Sequence, residues 1–168
     1  MKKLTLALLL VILLLSACAN VPATPQANKP VVMVSVQPQA YFVQKIAGDL
    51  VEVQAMVGTG DDPHTYEPTT EQMRSLTNAQ LYFSIGVEFE AAWLPRFTAA
   101  NPNLKIVDSA EGVVRLPAAP SENGEEAGEP DPHIWLSPSR VKQISANMAA
   151  ALAELDPDNA PIYEQNLA

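Results

Sequence analysis

The chain of 168 residues is poor in the side chains that usually bind metals or cross-link a fold, with one cysteine and two histidines. A lone cysteine excludes an internal disulfide and a Cys-rich zinc site. Any metal chemistry must therefore come from His64, His133 and carboxylates. Positive charge is also scarce, ten Lys and Arg standing against nineteen Asp and Glu. Duplex binding needs clustered Lys and Arg to meet phosphate, so nucleic acid is excluded as a partner. The one long apolar run, residues 4–15, is shorter than the roughly 20 residues that a membrane-spanning helix needs. There is no His-Glu-x-x-His pair and no Ser or Cys nucleophile elbow.

The amino terminus is informative. Lys2 and Lys3, the apolar run and the small residues of Leu15-Ser16-Ala17-Cys18 match the three regions of a secretory signal. The last four resemble a bacterial lipobox, in which the cysteine is lipidated and becomes the first residue of the mature chain. Residues 1–17 are thus expected to be a lipoprotein signal peptide with Cys18 as the lipid anchor. Without them eight basic residues face nineteen acidic ones. Residues 18–30 carry three prolines and, apart from Val21, no large apolar side chain, so they read as a partly extended tether.

Strand and helix signals alternate from Val31 onward. Val31-Val32-Met33-Val34-Ser35-Val36 has the continuous β-branched pattern of a strand buried on both faces. Pro38 opens a helix with apolar positions Tyr41, Phe42, Ile46 and Leu50, closed by Gly48. Val51 to Val57 alternates as a second strand, and the Gly- and Asp-rich residues 58–63 form a loop. Thr69 and Gln72 have the spacing of a capping box. Residues 80–85 form a third strand, residues 89–100 a helix disturbed at Pro95, and residues 104–107 a fourth strand. Ser137-Pro138 starts another helix, with Ser137 as its N-cap. This order predicts an α/β fold, a parallel sheet with helices on both faces. In such sheets ligands bind beyond the carboxyl ends of the strands, where the loop holding His64 lies. Residues 117–132 are acidic and lack an apolar face, which predicts a mobile acidic loop.

Both histidines sit in one repeated pattern. Asp62-Pro63-His64-Thr65-Tyr66-Glu67-Pro68 and Asp131-Pro132-His133-Ile134-Trp135-Leu136-Ser137-Pro138 share Asp-Pro-His, any residue, an aromatic, and a proline ahead of a helix. Proline stiffens the backbone before each imidazole. In a locally extended segment the aromatic two residues on, Tyr66 or Trp135, falls on the same side as the histidine and can wall a site. A metal-ligating imidazole also needs an acceptor that fixes its tautomer, a role open to Asp62, Asp131 or a backbone carbonyl. Glu67 reads as a supporting or helix-start residue, and Glu88 and Glu90 as surface carboxylates.

Several segments together carry a resemblance. Tyr41-Phe42-Val43-Gln44-Lys45-Ile46-Ala47-Gly48-Asp49, the two histidine motifs, Gly86-Val87-Glu88-Phe89-Glu90, and Asp156-Pro157-Asp158-Asn159 with Tyr163 and Asn166 occur in the order seen in bacterial metal-binding proteins. The chain resembles the cluster A-I (cluster 9) zinc-uptake family, the zinc and manganese solute-binding subunits of ABC importers. The resemblance implies that His64 and His133 are the metal ligands of an amino-terminal lobe, residues 31–156. Residues 157–168 would begin a long helix leading to a second lobe, so the sequence reads as truncated. It further implies capture of a divalent metal, most simply zinc, outside the cytoplasmic membrane, and delivery to an ABC permease. Within the family the cargo could instead be manganese or iron. Two imidazoles are fewer than the four ligands usual for zinc, so carboxylates, water or another chain must complete the site.

Two other classes compete. A zinc hydrolase would use both histidines with Glu67 or Glu88 around an activated water, but it lacks the supporting motifs. A surface adhesin lipoprotein with a vestigial metal site would need an adhesive feature that the sequence does not display. The expectation is therefore a carrier and not an enzyme.

Overall fold

The computed structural model describes residues 29–63, 65–118 and 130–168. Four parallel strands form one sheet: β1 (Val31–Val36), β2 (Glu52–Val57), β3 (Leu81–Ser84) and β4 (Lys105–Asp108), in the order β2-β1-β3-β4. Among the described residues five α-helices connect and cover them: α1 (Gln37–Ala47), α2 (Thr70–Asn78), α3 (Phe89–Ala100), α4 (Pro138–Leu155) and α5 (Ala160–Leu167). From β1 the chain steps outward to β2, returns past β1 to β3, and continues to β4. Right-handed crossovers then put α1 on one face and α2 and α3 on the other. The packing agrees, since α1 lies against α4 and α5 while α2 lies against α3. The expected parallel sheet with helices on both faces is the fold observed.

Burial explains the strand assignments. Val32, Met33 and Val34 of the central β1 are fully buried, as a strand covered on both sides requires. β2 lies at the edge and starts exposed, burying only Met56 and Val57 at its carboxyl end. α1 differs from expectation: it buries Gln39, Ala40, Val43, Ile46 and Ala47, whereas Tyr41 is 59% exposed. The inward stripe passes beside the aromatic pair, and Tyr41 instead packs edge-on against Phe42 at 5.8 Å. α3 runs unbroken through Pro95, which lies on its exposed side. There the carbonyl released by the missing proline N–H can reach solvent, so no break is forced. Ser137 precedes α4 as expected, but its hydroxyl makes no capping bond and meets Ser139 Oγ at 3.1 Å.

Among the described residues most buried polar side chains, Ser35, Gln39, Ser84, Glu90 and Ser109, collect where β1 and β3 separate. These strands pair through Val34 and Phe83, and beyond them the chain leaves in opposite directions. Gln39, fully buried, spans the gap. Its Oε1 accepts from the amides of Ser35 (3.0 Å) and Val36 (3.1 Å). Its Nε2 donates to the carbonyls of Phe83 and Ser84 (both 3.2 Å) and to Ser109 Oγ (2.9 Å). One side-chain amide thus replaces the ladder that the diverging strands have lost. Gln39→Ala would leave two amides unpaired in the core and should cost about 2–4 kcal/mol of unfolding free energy. Urea titration with an unchanged m value would check it.

Candidate metal centre

The first histidine motif follows β2. His64 lies outside the described residues, as do Cys18 and residues 119–129 of the acidic loop. The residues around His64 are held by α2. Thr69 and Gln72 form the expected capping box, with the Gln72 amide donating to Thr69 Oγ1 (3.2 Å) and Thr69 N–H donating to Gln72 Oε1 (2.9 Å). Gln72 does more than cap. Its Nε2 donates to the Met56 carbonyl (2.7 Å) at the end of β2, and its Oε1 accepts from Tyr66 Oη (2.5 Å). The Tyr66 ring packs edge-on against Phe89, centroids 5.2 Å apart, at the start of α3. Burial holds the Tyr66 phenol above its ordinary range, so it remains a neutral donor. Asp62 and Glu67 are exposed, and with Asp61, Thr65, Tyr66, Thr69 and Gln72 they line a depression of about 310 Å³.

The second motif is tighter. Asp131 Oδ1 accepts from both the backbone N–H and Nδ1 of His133, each at 2.9 Å. With Nδ1–H given to the carboxylate, Nε2 carries the lone pair that a metal would take. The His133 amide bond is the main reason that the Asp131 carboxyl lies below the ordinary aspartate range. Residues 134–136 form a single 3-10 turn, not the extended segment assumed from sequence. The turn still brings Trp135 to His133, ring centroids 5.3 Å apart and steeply inclined.

Both motifs rest on the short connection between β3 and α3, Tyr66 through Phe89 and the second motif through Arg115. Arg115 donates from Nη2 to the Ile85 carbonyl and from Nη1 to the Asp131 carbonyl (3.5 Å). Glu90 fixes the connection from inside. Expected on the surface, it is 5% exposed. Its carboxylate accepts from the amides of Ile85 and Gly86 (both 2.8 Å) and from Ser35 Oγ (2.5 Å), which in turn meets Tyr82 Oη at 2.8 Å. Glu90 is buried, not at the surface, because three donors converge where a surface carboxylate would have water. Sequence reasoning also passed over Gln39 and Arg115 and found in Gln72 only a cap, because neither spacing nor residue type marks an amide or guanidinium that grips the backbone of another segment. Among the described residues no group of three or more His, Cys, Asp or Glu could hold a metal ion.

Residues 32–168 match the family model for the periplasmic zinc-uptake complex component A. The chain belongs to this zinc-uptake family. A crystal structure of ZnuA aligns at 47% identity and a TM-score of 0.72, over 83% of this chain and 52% of that one. The manganese-bound periplasmic metal-binding protein of Candidatus Liberibacter asiaticus aligns at 32% identity and the same TM-score, over 83% and 50%. Among curated relatives, the metal ABC transporter substrate-binding lipoprotein SsaB of Streptococcus sanguinis is 33% identical over 95% of this chain and 53% of its own length. The zinc-binding lipoprotein AdcA of Streptococcus pneumoniae is 30% identical over all of this chain and 35% of its own. The chain thus spans about half the length of SsaB and of both solved proteins. Both histidine motifs lean on residues 85–89, Tyr66 on the Phe89 ring and Arg115 on the Ile85 carbonyl.

Glu90 generates a pH prediction. Burial, outweighing its three donors, raises its carboxyl above the ordinary 4.5. The folded chain then keeps a proton that the unfolded chain has already lost. This group's contribution is therefore greatest at and below pH 4.5 and declines as pH rises through the raised value. Glu90→Gln cannot titrate, so the stability of wild type relative to Glu90→Gln should be larger at pH 5 than at pH 7, as read by urea denaturation at the two values.

Proposed function

We propose that this protein is the substrate-binding component of an ABC importer and that it captures a divalent metal, zinc, outside the cytoplasmic membrane for delivery to a permease. The observation that carries this reading is His133, its Nδ1 committed to Asp131 and its ring walled by Trp135. In this reading His64 and His133 are this lobe's ligands, Asp131 fixes the imidazole, and Tyr66 braces the loop that bears His64. Asp62 and Glu67 sit beside that loop as supporting carboxylates. Residues 31–156 act as the amino-terminal lobe, residues 157–168 open the helix toward a second lobe, and that lobe supplies the remaining ligands. Residues 1–17 act as the signal, and Cys18 carries the lipid from which the tether of residues 18–30 extends. The relatives support a lipid-anchored carrier, not an enzyme: SsaB, PsaA and AdcA are all called substrate-binding or zinc-binding lipoproteins.

Support for zinc over manganese is chemical and comparative. Imidazole sites follow the affinity order that ranks zinc well above manganese. The identity to ZnuA, 47%, exceeds that to the manganese-bound protein, 32%. Manganese stays the second reading because PsaA of Streptococcus pneumoniae, a manganese ABC transporter lipoprotein by name, is 32% identical over 99% of this chain.

Competition titration of the metal-stripped full-length protein with chelators should give tighter binding of zinc than of manganese. Asp131→Asn should weaken zinc about 10–100-fold by releasing the imidazole, and His64→Ala and His133→Ala should weaken it more. Unchanged binding in both histidine variants would sink the proposal, and tighter manganese would reassign the cargo.

A further inference from the structure

Arg115 belongs to neither histidine motif, yet it joins the second one to the core. Among the described residues its hydrogen-bond partners are two backbone carbonyls, Ile85 and Asp131, not carboxylates, so its contacts hold chain to chain. Each carbonyl belongs to a segment fixed on its other side. The Ile85 and Gly86 amides are gripped by buried Glu90. The Asp131 amide donates to the carbonyl of Leu116, the residue next to Arg115, at 2.8 Å. A bridge between Pro117 and Pro130 continues that pairing by one residue on each side. Asp131 is therefore held through its N–H and its C=O, which leaves its Oδ1 aimed at His133.

Gly86 is shaped by the same contact. Its φ is +80°, and a Cβ built there would lie 2.4 Å from Arg115 Nη2 and 3.1 Å from Cζ. The guanidinium occupies the space that any side chain at position 86 would need. A glycine with positive φ at a connection that receives an arginine from another segment is a fitted pair, not an isolated turn residue.

We propose that Arg115, seated on Gly86, is a positioning residue for His133: it locks the Asp131–His133 turn to the β3–α3 connection and so presets the imidazole for metal. The proposal rests on His133 being a ligand, the reading of the preceding subsection. A ligand held in place before the metal arrives loses less freedom on binding, so the lock should act on affinity. Lysine cannot replace it, because one ammonium lacks the planar fork that reaches two separated carbonyls.

The test is a double-mutant cycle on the full-length protein, using zinc with a competing chelator, together with nitrogen-15 spectra of the imidazoles. The chain has only two histidines, so His133→Ala assigns their signals. Arg115→Met should weaken zinc about tenfold, yet cause no further loss in a His133→Ala background, because coupled residues are not additive. In metal-free protein the His133 signals should pass from a dominant Nδ1–H tautomer toward a mixture. Arg115→Lys, which keeps stem and charge, should lose several-fold in affinity and carries the same test if Arg115→Met fails to fold. Affinity within twofold of wild type with unchanged imidazole signals would overturn the proposal. So would an equal loss in the His133→Ala background, the mark of a purely structural effect. If the wild type takes up no zinc, the carrier reading fails, and the metal-free imidazole signals still decide whether Arg115 positions His133.

Discussion

Backbone amides and carbonyls at the carboxyl ends of β1 and β3 must find partners away from solvent after the two strands have parted. An unpaired buried amide costs as much as a lost hydrogen bond, so the separation is tolerable only if side chains fill it. Gln39 answers this on one side with an amide that mimics a peptide unit. Glu90 answers it on the other with a carboxylate that collects two amides and a hydroxyl. In open α/β sheets this parting of strands is where ligands commonly enter. Here Gln39 and Glu90 close it, and the histidine motifs stand on the surrounding loops.

The two motifs share a sequence pattern and differ in their bracing. At the first, an amide and an aromatic ring do the work: Gln72 ties Tyr66 to the end of β2, and Tyr66 leans on Phe89. At the second, a carboxylate and a guanidinium do it, with Asp131 on the imidazole and Arg115 beneath. The lines of support meet on the connection from Ile85 to Phe89, which Glu90 secures from within. A carrier must present ligands firmly enough to capture an ion and still give it up. Under the proposed carrier function, bracing both motifs on one connection suits that requirement.

Much of the fold could be read from pattern. The valine run of β1, the alternation of β2 and the Thr69–Gln72 box announced their elements because each depends on near neighbours in the chain. Pro38, Gly48 and Pro138 marked boundaries for the same reason. Where reading failed, distant residues intervened. Tyr41 faces solvent because α4 and α5 select another stripe of α1 for burial, and Glu90 is buried because three donors converge on it.

The sequence alone determined that the chain's two histidines stand in twin Asp-Pro-His contexts, and that strands and helices alternate. Those properties are local, set by residue type and short-range spacing. Tertiary structure alone decided that Asp131 commits its carboxylate to His133, that Trp135 reaches the ring from a 3-10 turn, and that Arg115 sits where Gly86 has no side chain. Arg115 reaches Gly86 from a distant segment, and the turn in which His133 meets Asp131 and Trp135 is held from outside by Arg115 and Leu116, so these energies depend on burial and direction. Neither quantity exists until the chain has closed around β1 and β3.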